Sequence, residues 1–501
     1  MRLLLQKIKS ILEKPLHFIS RFISPAWLAV LLVGIIVGIL LFVPPINGIA
    51  DNGDFFRMIY SNGLYELSKD SDQYFGYFVK NYGILQYYNE NIASLFSSQT
   101  LFIQLALLLN KLFYSQAMFD IRFLGGLYFI LYLGAIYLLT EGLTYGTKRK
   151  TGYILACIVV LVFGDTAYTL YFNSLYSEPI MFIMMLYVFA ATLLLYRKRY
   201  NQIAMIVLLT VSSVFMITAK QQNAPLAVCI GLIFVGVLMV RKQLFYRLFV
   251  TLGLVLVLVS GALTYTLITT EFNNINQFQS MTRGVLLESE NPEKALEDGN
   301  MEEQFALLKG NTYFQEYSAI DTNGNYMLKE FYDRYGFGWV LKHYLFNPAD
   351  FYTILSAAAN DIHQVQPYEM GNYEKSAGKP FKERTRYFTL YSSIKREFFP
   401  KTMGFLIIWT FVYLGIYFPS VYAAYKQNAP RRMLRYWLII ASLAMVFVIL
   451  IVSVIGDGDA DLAKHLFLSA VIFDFLTVMT VSDALTNRLW ADRMEGDGLD
   501  K

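Results

Sequence analysis

Ten apolar stretches, each close to the length of a membrane crossing, constrain this chain more than any motif does. They run at about 26–43, 121–143, 152–171, 179–196, 202–219, 224–240, 246–268, 403–424, 435–455 and 462–483. A helix needs about 20 mainly apolar residues to cross a bilayer. The basic residues test the count, because each true crossing carries the next short connection to the opposite side. Arg2, Lys7, Lys9, Lys14 and Arg21 precede the first stretch. Lys148-Arg149-Lys150, Arg197-Lys198-Arg199, Arg241-Lys242, Arg431-Arg432 and Arg488 then fall in every second connection. The chain therefore reads as an all-α polytopic membrane protein with about ten transmembrane helices and both termini cytoplasmic. Only 16% of its residues are charged and 56% are hydrophobic; soluble proteins carry about 25% charged residues, so an ordinary soluble enzyme is excluded. A net charge of +4 gives no basis for nucleic-acid binding.

The spans divide the chain. Residues 1–25 place Leu, Ile and Phe opposite Lys and Arg, as in an amphipathic helix lying on the cytoplasmic surface. The first apolar run is of full span length and no small-residue cleavage site follows Pro44-Pro45, so it reads as a retained helix. Residues 26–268 form a transmembrane module that includes a long first outer segment at 44–120. Residues 269–402, rich in Asn, Asp, Glu, Gly and Tyr, form an extracytoplasmic helical lid, with helical patches at Pro292–Leu308 and Tyr326–Tyr344. Residues 403–485 supply the C-terminal transmembrane helices and 486–501 a cytoplasmic tail. Thr100–Phe113 is apolar but short, and counting it as a crossing would invert every later connection. It is expected as an interfacial or re-entrant helix on the outer face. Cys157 and Cys229 both sit inside apolar runs, which leaves no disulfide framework.

The notable polar residues gather at the outer boundary. After the first span comes Asn52-Gly53-Asp54-Phe55-Phe56-Arg57, preceded by Asp51. A carboxylate here can act as a general base, or it can cap a helix start. Glu178 opens the fourth span beside Pro179, where the helix dipole favours negative charge. Asp165, within the third span, is a functional candidate because charges are costly there. Arg122, Lys220 and His465, with neighbouring Gln221 and Lys464, bring cations and donors to the side that is normally poor in them. Such residues suit an anionic ligand such as a phosphate. Asp457, Asp459 and Asp461 alternate like the start of a calcium loop, but Leu462 and Leu468 stand where Gly and Glu are required. No metal site is expected from these motifs.

The early acidic pair, the short acidic loop between the third and fourth spans and the late outer domain resemble the GT-C superfamily of integral membrane glycosyltransferases. Asn52-Gly53-Asp54-Phe55 with Arg57, Ser177-Glu178-Pro179 and the Asp461–His465 helix start look most like the WsfD-type glycan-biosynthesis hexose transferases. The resemblance implies transfer of a hexose from a polyprenyl-monophosphate carrier to a cell-surface glycan or cell-wall polymer on the extracytoplasmic face of the plasma membrane. It implies Asp54 or Asp51 as base, with Asp54 favoured and Glu178 beside them. The donor phosphate is then expected on Arg122, Lys220 and His465, with Arg57, Asp165, Asp461 and Gln221 as further site candidates. A monophosphate donor demands no metal, although the acids could hold a divalent ion, and no other cofactor is expected. The alternatives are a lipid-linked glycan flippase or transporter and a surface-polysaccharide polymerase or ligase.

Overall fold

The computed structural model describes residues 23–67, 73–91 and 96–490. The surface helix expected at 1–25 lies outside these up to residue 22, as does residue 491 onward of the tail.

Helix α1, Pro25–Phe42, starts sharply because the Ser24 hydroxyl accepts from the Trp27 amide at 3.3 Å and proline occupies its first turn. The first connection carries a small antiparallel sheet, β1 (Leu64–Tyr65), β2 (Asn81–Ile84) and β3 (Met118–Asp120), in that order. An all-helical reading did not anticipate this sheet. Helix α2, Gln99–Phe113, covers about 22 Å at 1.5 Å per residue, short of the roughly 30 Å hydrocarbon core. It buries Phe102, Ile103, Ala106 and Leu107 and exposes Leu101, Leu108 and Leu112.

Helices α3 (Arg122–Thr144), α4 (Arg149–Phe163), α5 (Glu178–Arg197), α6 (Gln202–Thr218), α7 (Leu226–Val240) and α8 (Leu244–Thr266) build the first bundle. Helix α5 is its centre: 94% of its apolar stretch is buried, against 33% for α8. The third span is not the continuous helix expected over 152–171. It breaks after α4 and bends by 52° into Thr166–Asn173. The Asp165 carboxylate explains the break, accepting from the Ala167 amide at 2.9 Å and from the Ser392 amide at 2.9 Å. Asp165 is thus a cap at a kink rather than a charge in mid-helix.

The second long segment, the one expected on the outer side, contains α9 (Thr270–Gln279), α10 (Phe337–Phe346), α11 (Pro348–Asp361) and α12 (Leu390–Phe398). It has its own apolar core around Phe278, Leu296, Phe305, Met327 and Phe331. Helices α13 (Met403–Lys426), α14 (Pro430–Asp457) and α15 (Phe467–Leu485) complete the bundle, with Phe475 of α15 stacked on Phe189 of α5 at 3.6 Å between ring centres. The tenth span, expected over 462–483, is divided, since a separate turn at Leu462–His465 precedes α15. Among the described residues eight helices are long and apolar enough to cross a membrane, nine with the bent pair, and α6 falls just short at 17 residues.

Candidate functional site

The connection after α1 is pinned from two directions. Asn173, at the end of the bent third span, donates to the carbonyls of Leu41 (3.1 Å) and Asn47 (2.9 Å). The amides of Gly48 and Ala50 donate to the carbonyls of Asn372 (3.1 Å) and Gly371 (3.0 Å) in the second outer segment. Asp51 then closes a tight turn, its Oδ1 accepting from the amides of Gly53 (2.8 Å) and Phe55 (3.1 Å). Gly53 has φ +100°, a conformation that a side chain would strain. This turn aims Asp54 away from the backbone and seats the Phe55 ring against Tyr176 at 4.5 Å.

Asp54 meets Lys464, which lies in the turn before α15, and Arg57 at 3.4 Å. Lys464 is only 3% exposed and also reaches Asp461 at 3.1 Å. Asn52 ties the same elements together, donating through Nδ2 to Asp461 at 3.0 Å. The Tyr176 hydroxyl accepts from the Asn52 amide at 3.0 Å, and its ring lies 5.1 Å from the Lys464 ammonium. Burial alone would raise the proton affinity of Asp54, but Lys464 and Arg57 more than offset it and hold the carboxyl well below the usual range. Burial would likewise depress Lys464, and Asp54 and Asp461 instead raise it. Asp51 behaves oppositely. Burial pushes it up to about 6, against the lowering effect of its two amide bonds, and the nearby Asp54 charge adds to the rise.

Glu178, in the first turn of α5, is 1% exposed and pairs with Lys220 at 3.4 Å. This pair belongs to the same electrostatic cluster, because the Lys220 charge acts on Asp54 and that of Glu178 on Lys464. His465 is held at both nitrogens, Nδ1 against Gln222 and Nε2 against Asp457 at 2.8 Å. Gln279 of α9 donates to that same Asp457 at 2.5 Å. Asp459 receives Arg283 at 2.7 and 2.9 Å. Each aspartate of the alternating run thus has a protein partner, and Gly458, at φ +63°, lets Arg283 approach so closely that a Cβ would sit 2.5 Å from its carbonyl carbon. Among the described residues no group of three or more His, Cys, Asp or Glu is placed to hold a metal ion.

The structure therefore brings together Asp54, Asp51, Arg57, Glu178, Lys220 and Asp461, while His465, next to Lys464 in the chain, turns its ring to Gln222 and Asp457. It does not bring Arg122 or Asp165 into that set. Arg122 is taken by Asp120, two residues before it, through a bidentate pair at 2.9 and 2.6 Å. Asp165 faces Ser392 instead, and Gln221 is buried at the start of the short turn that leads into α7. Sequence reasoning did not single out Lys464 as the partner of Asp54, nor Asn52 and Tyr176 as the clamp around them. The signal was a lysine in the short connection before the last span, directly after the alternating aspartates. Asp51 also borders a cavity of about 270 Å³ shared with Glu66, Tyr74, Tyr77 and Tyr82. Lys80 and Glu374, 3.3 Å apart, also line it and join the two long segments.

No curated protein matches the chain. Among solved structures it is similar to the oligosaccharyltransferase AglB of Archaeoglobus fulgidus in complex with an inhibitory peptide and a dolichol-phosphate, at 15% identity and TM-score 0.37, over 94% of this chain and 52% of that one. The apo form of the Archaeoglobus fulgidus oligosaccharyltransferase aligns at 11% identity and TM-score 0.37, over 94% and 52%. The form tethered to an acceptor peptide aligns at 12% and 0.35, over 92% and 49%. This chain spans about half the length of those structures. Residues 6–500 match the family described as the YfdI N-terminal transmembrane domain, and to that family of integral membrane proteins the chain belongs.

Proposed function

We propose that this protein is a GT-C-type membrane glycosyltransferase that moves a hexose from a polyprenyl-monophosphate carrier to a surface glycan or cell-wall polymer on the extracytoplasmic face of the plasma membrane. The observation that carries the reading is the meeting of Asp54 and Lys464, 410 positions apart, with Arg57, Lys220 and Glu178 around them at one end of the bundle. A glycosyl phosphate has a good leaving group. The protein needs chiefly to place an acceptor hydroxyl opposite it, take its proton and stabilise the departing charge.

Lys464, Lys220 and Arg57 supply the positive charge for the carrier phosphate in this reading, with His465 next to Lys464 in the chain. Asp54, whose side chain is 31% exposed, is the base. A bound phosphate shares the cations that now hold Asp54 ionised and adds a like charge beside it, and both effects raise its proton affinity at the moment it is needed. The acceptor oxygen attacks the anomeric carbon as its proton passes to Asp54, and the bond to the phosphate oxygen breaks with its electron pair on the carrier. One displacement inverts the anomeric centre. The tyrosine- and carboxylate-lined cavity next to Asp51 suits a sugar acceptor, with rings for its faces and acids for its hydroxyls. The narrower hexose-transferase likeness to the WsfD type belongs to the same proposal.

A transport path is less well supported. Asp165 and Asp474, the deep carboxylates, are engaged by Ser392 and by Lys395, Tyr168 and Tyr391 respectively. The test is the mass of surface glycans from cells carrying wild type or Asp54→Asn at equal membrane levels. Loss of one hexose per repeat or acceptor site, with the lipid-linked donor retained, supports the reading. Unchanged glycan in that variant and in a full deletion overturns it.

A further inference from the structure

At the end of the bundle opposite Asp54, the turns joining α5 to α6 and α7 to α8 border a second, open cavity of about 370 Å³. Small-ligand sites fall in the range of roughly 300–1,000 Å³. Lys198 and Arg241 line it and no carboxylate does. More positive charge stands behind it. Arg247 donates through Nε to the Arg241 carbonyl at 3.2 Å, and Arg431, whose Nε is buried without a partner, lies within electrostatic range of Arg241. The nearby acid on α3, Glu141, is taken by Arg199 at 2.7 Å.

One residue of the cavity lining carries a buried, unpaired donor and acceptor. Gln202 is 8% exposed and lines it, and among the described residues neither carboxamide atom has a hydrogen-bond partner. A buried amide left unpaired is costly, so such a group signals a missing partner. The rim adds a second chemistry. Leu244, Phe245 and Leu248 at the start of α8 are 84%, 65% and 61% exposed, an apolar slope running from the cationic mouth along the helix.

The geometry points to a site for the phosphate headgroup of an anionic phospholipid in the leaflet opposite the Asp54 cluster. Lys198 and Arg241 meet the phosphate, the Gln202 carboxamide donates to a phosphate or glycerol oxygen, and the acyl chains descend along Leu244, Phe245 and Leu248. Basic pockets between membrane helices recognise headgroups in this way. A free phosphate shares the polar half of this chemistry but leaves the apolar slope unused. The proposal does not rest on the glycosyltransferase reading.

The test is native mass spectrometry of the full chain, purified in neutral detergent and titrated with phosphatidylglycerol or phosphatidylcholine. Wild type is expected to retain phosphatidylglycerol selectively, and Lys198→Gln/Arg241→Gln to lower its apparent affinity about thirty-fold, the scale of two lost charge contacts. Gln202→Leu, which keeps every topogenic charge, is expected to give a smaller loss in the same direction. Equal binding of the two lipids, or full retention of phosphatidylglycerol in both variants, overturns the site. Displacement of the lipid by millimolar inorganic phosphate overturns the lipid as occupant in favour of a soluble phosphate.

Discussion

Asp54 and Lys464 form an ion pair between the loop after the first span and the turn before the last one, with Lys464 only 3% exposed. A lysine buried this deeply stays charged because Asp54 and Asp461 both face it. Removing the lysine costs less than breaking a fully buried pair, because Asp54 keeps Arg57 and both aspartates reach water.

Lys464→Met leaves Asp54 paired with Arg57 and both aspartates in reach of water, at 31% and 47% exposure, so the expected loss of stability is only about 1 kcal/mol, read as a slightly lower thermal midpoint in detergent. Transfer should fall by about two orders of magnitude, the usual effect of losing one preorganised charge at a reacting oxyanion. Lys464→Arg keeps the charge and should recover stability better than activity. Equal activity of Lys464→Met and wild type at equal folded protein would remove this lysine from the site.

Asp51 gives a pH-dependent expectation. Its carboxyl is pushed up to about 6, above the ordinary value of 3.8. The folded state thus binds the proton more tightly than the unfolded chain does, and the resulting stability is fully present below about pH 4 and lost as the pH rises through about 6. Asp51→Asn keeps an acceptor for the Gly53 and Phe55 amides and removes the buried charge. It is expected to be more stable than wild type at pH 7, by at most about 3 kcal/mol for a shift of this size, with the difference vanishing near pH 4. Thermal melts across that range measure it. The rate profile separates the two aspartates as base: Asp54 gives a flat kcat/KM from pH 7 down to 5, whereas a limb near 6 assigns the base to Asp51.

Much of the layout was legible in the sequence because apolar runs and the polar stretches between them are local properties. The spans, a long first connection and a long late one at 269–402 could be read directly. The tilt and breaks of those spans were not legible. The kink after Gly164 depends on Ser392, over two hundred residues away, donating to Asp165. Composition cannot show such a partner. The site follows the same division. Asp54, Glu178 and Lys220 stand out as local polar residues at a boundary, but the pairing of Asp54 with Lys464 depends on two distant turns meeting. Arg122 misled for the converse reason, since Asp120 engages it through a contact only two residues long.

Lys220 separates binding from chemistry. It is paired with the buried Glu178 and is itself 21% exposed, so a ligand can reach it. Lys220→Ala is expected to raise the KM for the lipid-linked donor about ten-fold while kcat changes little, which is the effect of one charge-assisted phosphate contact at about 1.4 kcal/mol. Glu178→Gln removes the competing acid and is expected to lower that KM. Steady-state transfer with graded donor measures both, and a fall in kcat alone for Lys220→Ala would place this lysine in the chemical step.

Lys395 and Asp474 lie 2.7 Å apart with both side chains fully buried, and they join α12 of the second outer segment to α15. Asp474 also accepts from Tyr168 and from Tyr391 at 2.8 Å. Because α15 follows directly on the turn that carries Lys464, this pair fixes the outer segment to the element that presents the site. Lys395→Met or Asp474→Asn alone should each cost about 3–5 kcal/mol, by leaving one charge buried and unpaired. The double variant removes both charges of the pair and keeps an acceptor oxygen for one of the two tyrosines. It is expected to cost clearly less than the sum, a coupling that a double-mutant cycle of detergent melts reads directly. Activity should follow the same order, lower in either single variant than in the double. Additive losses in the cycle would show that the two charges do not depend on each other, and that packing of α12 rather than this ion pair holds the outer segment in place.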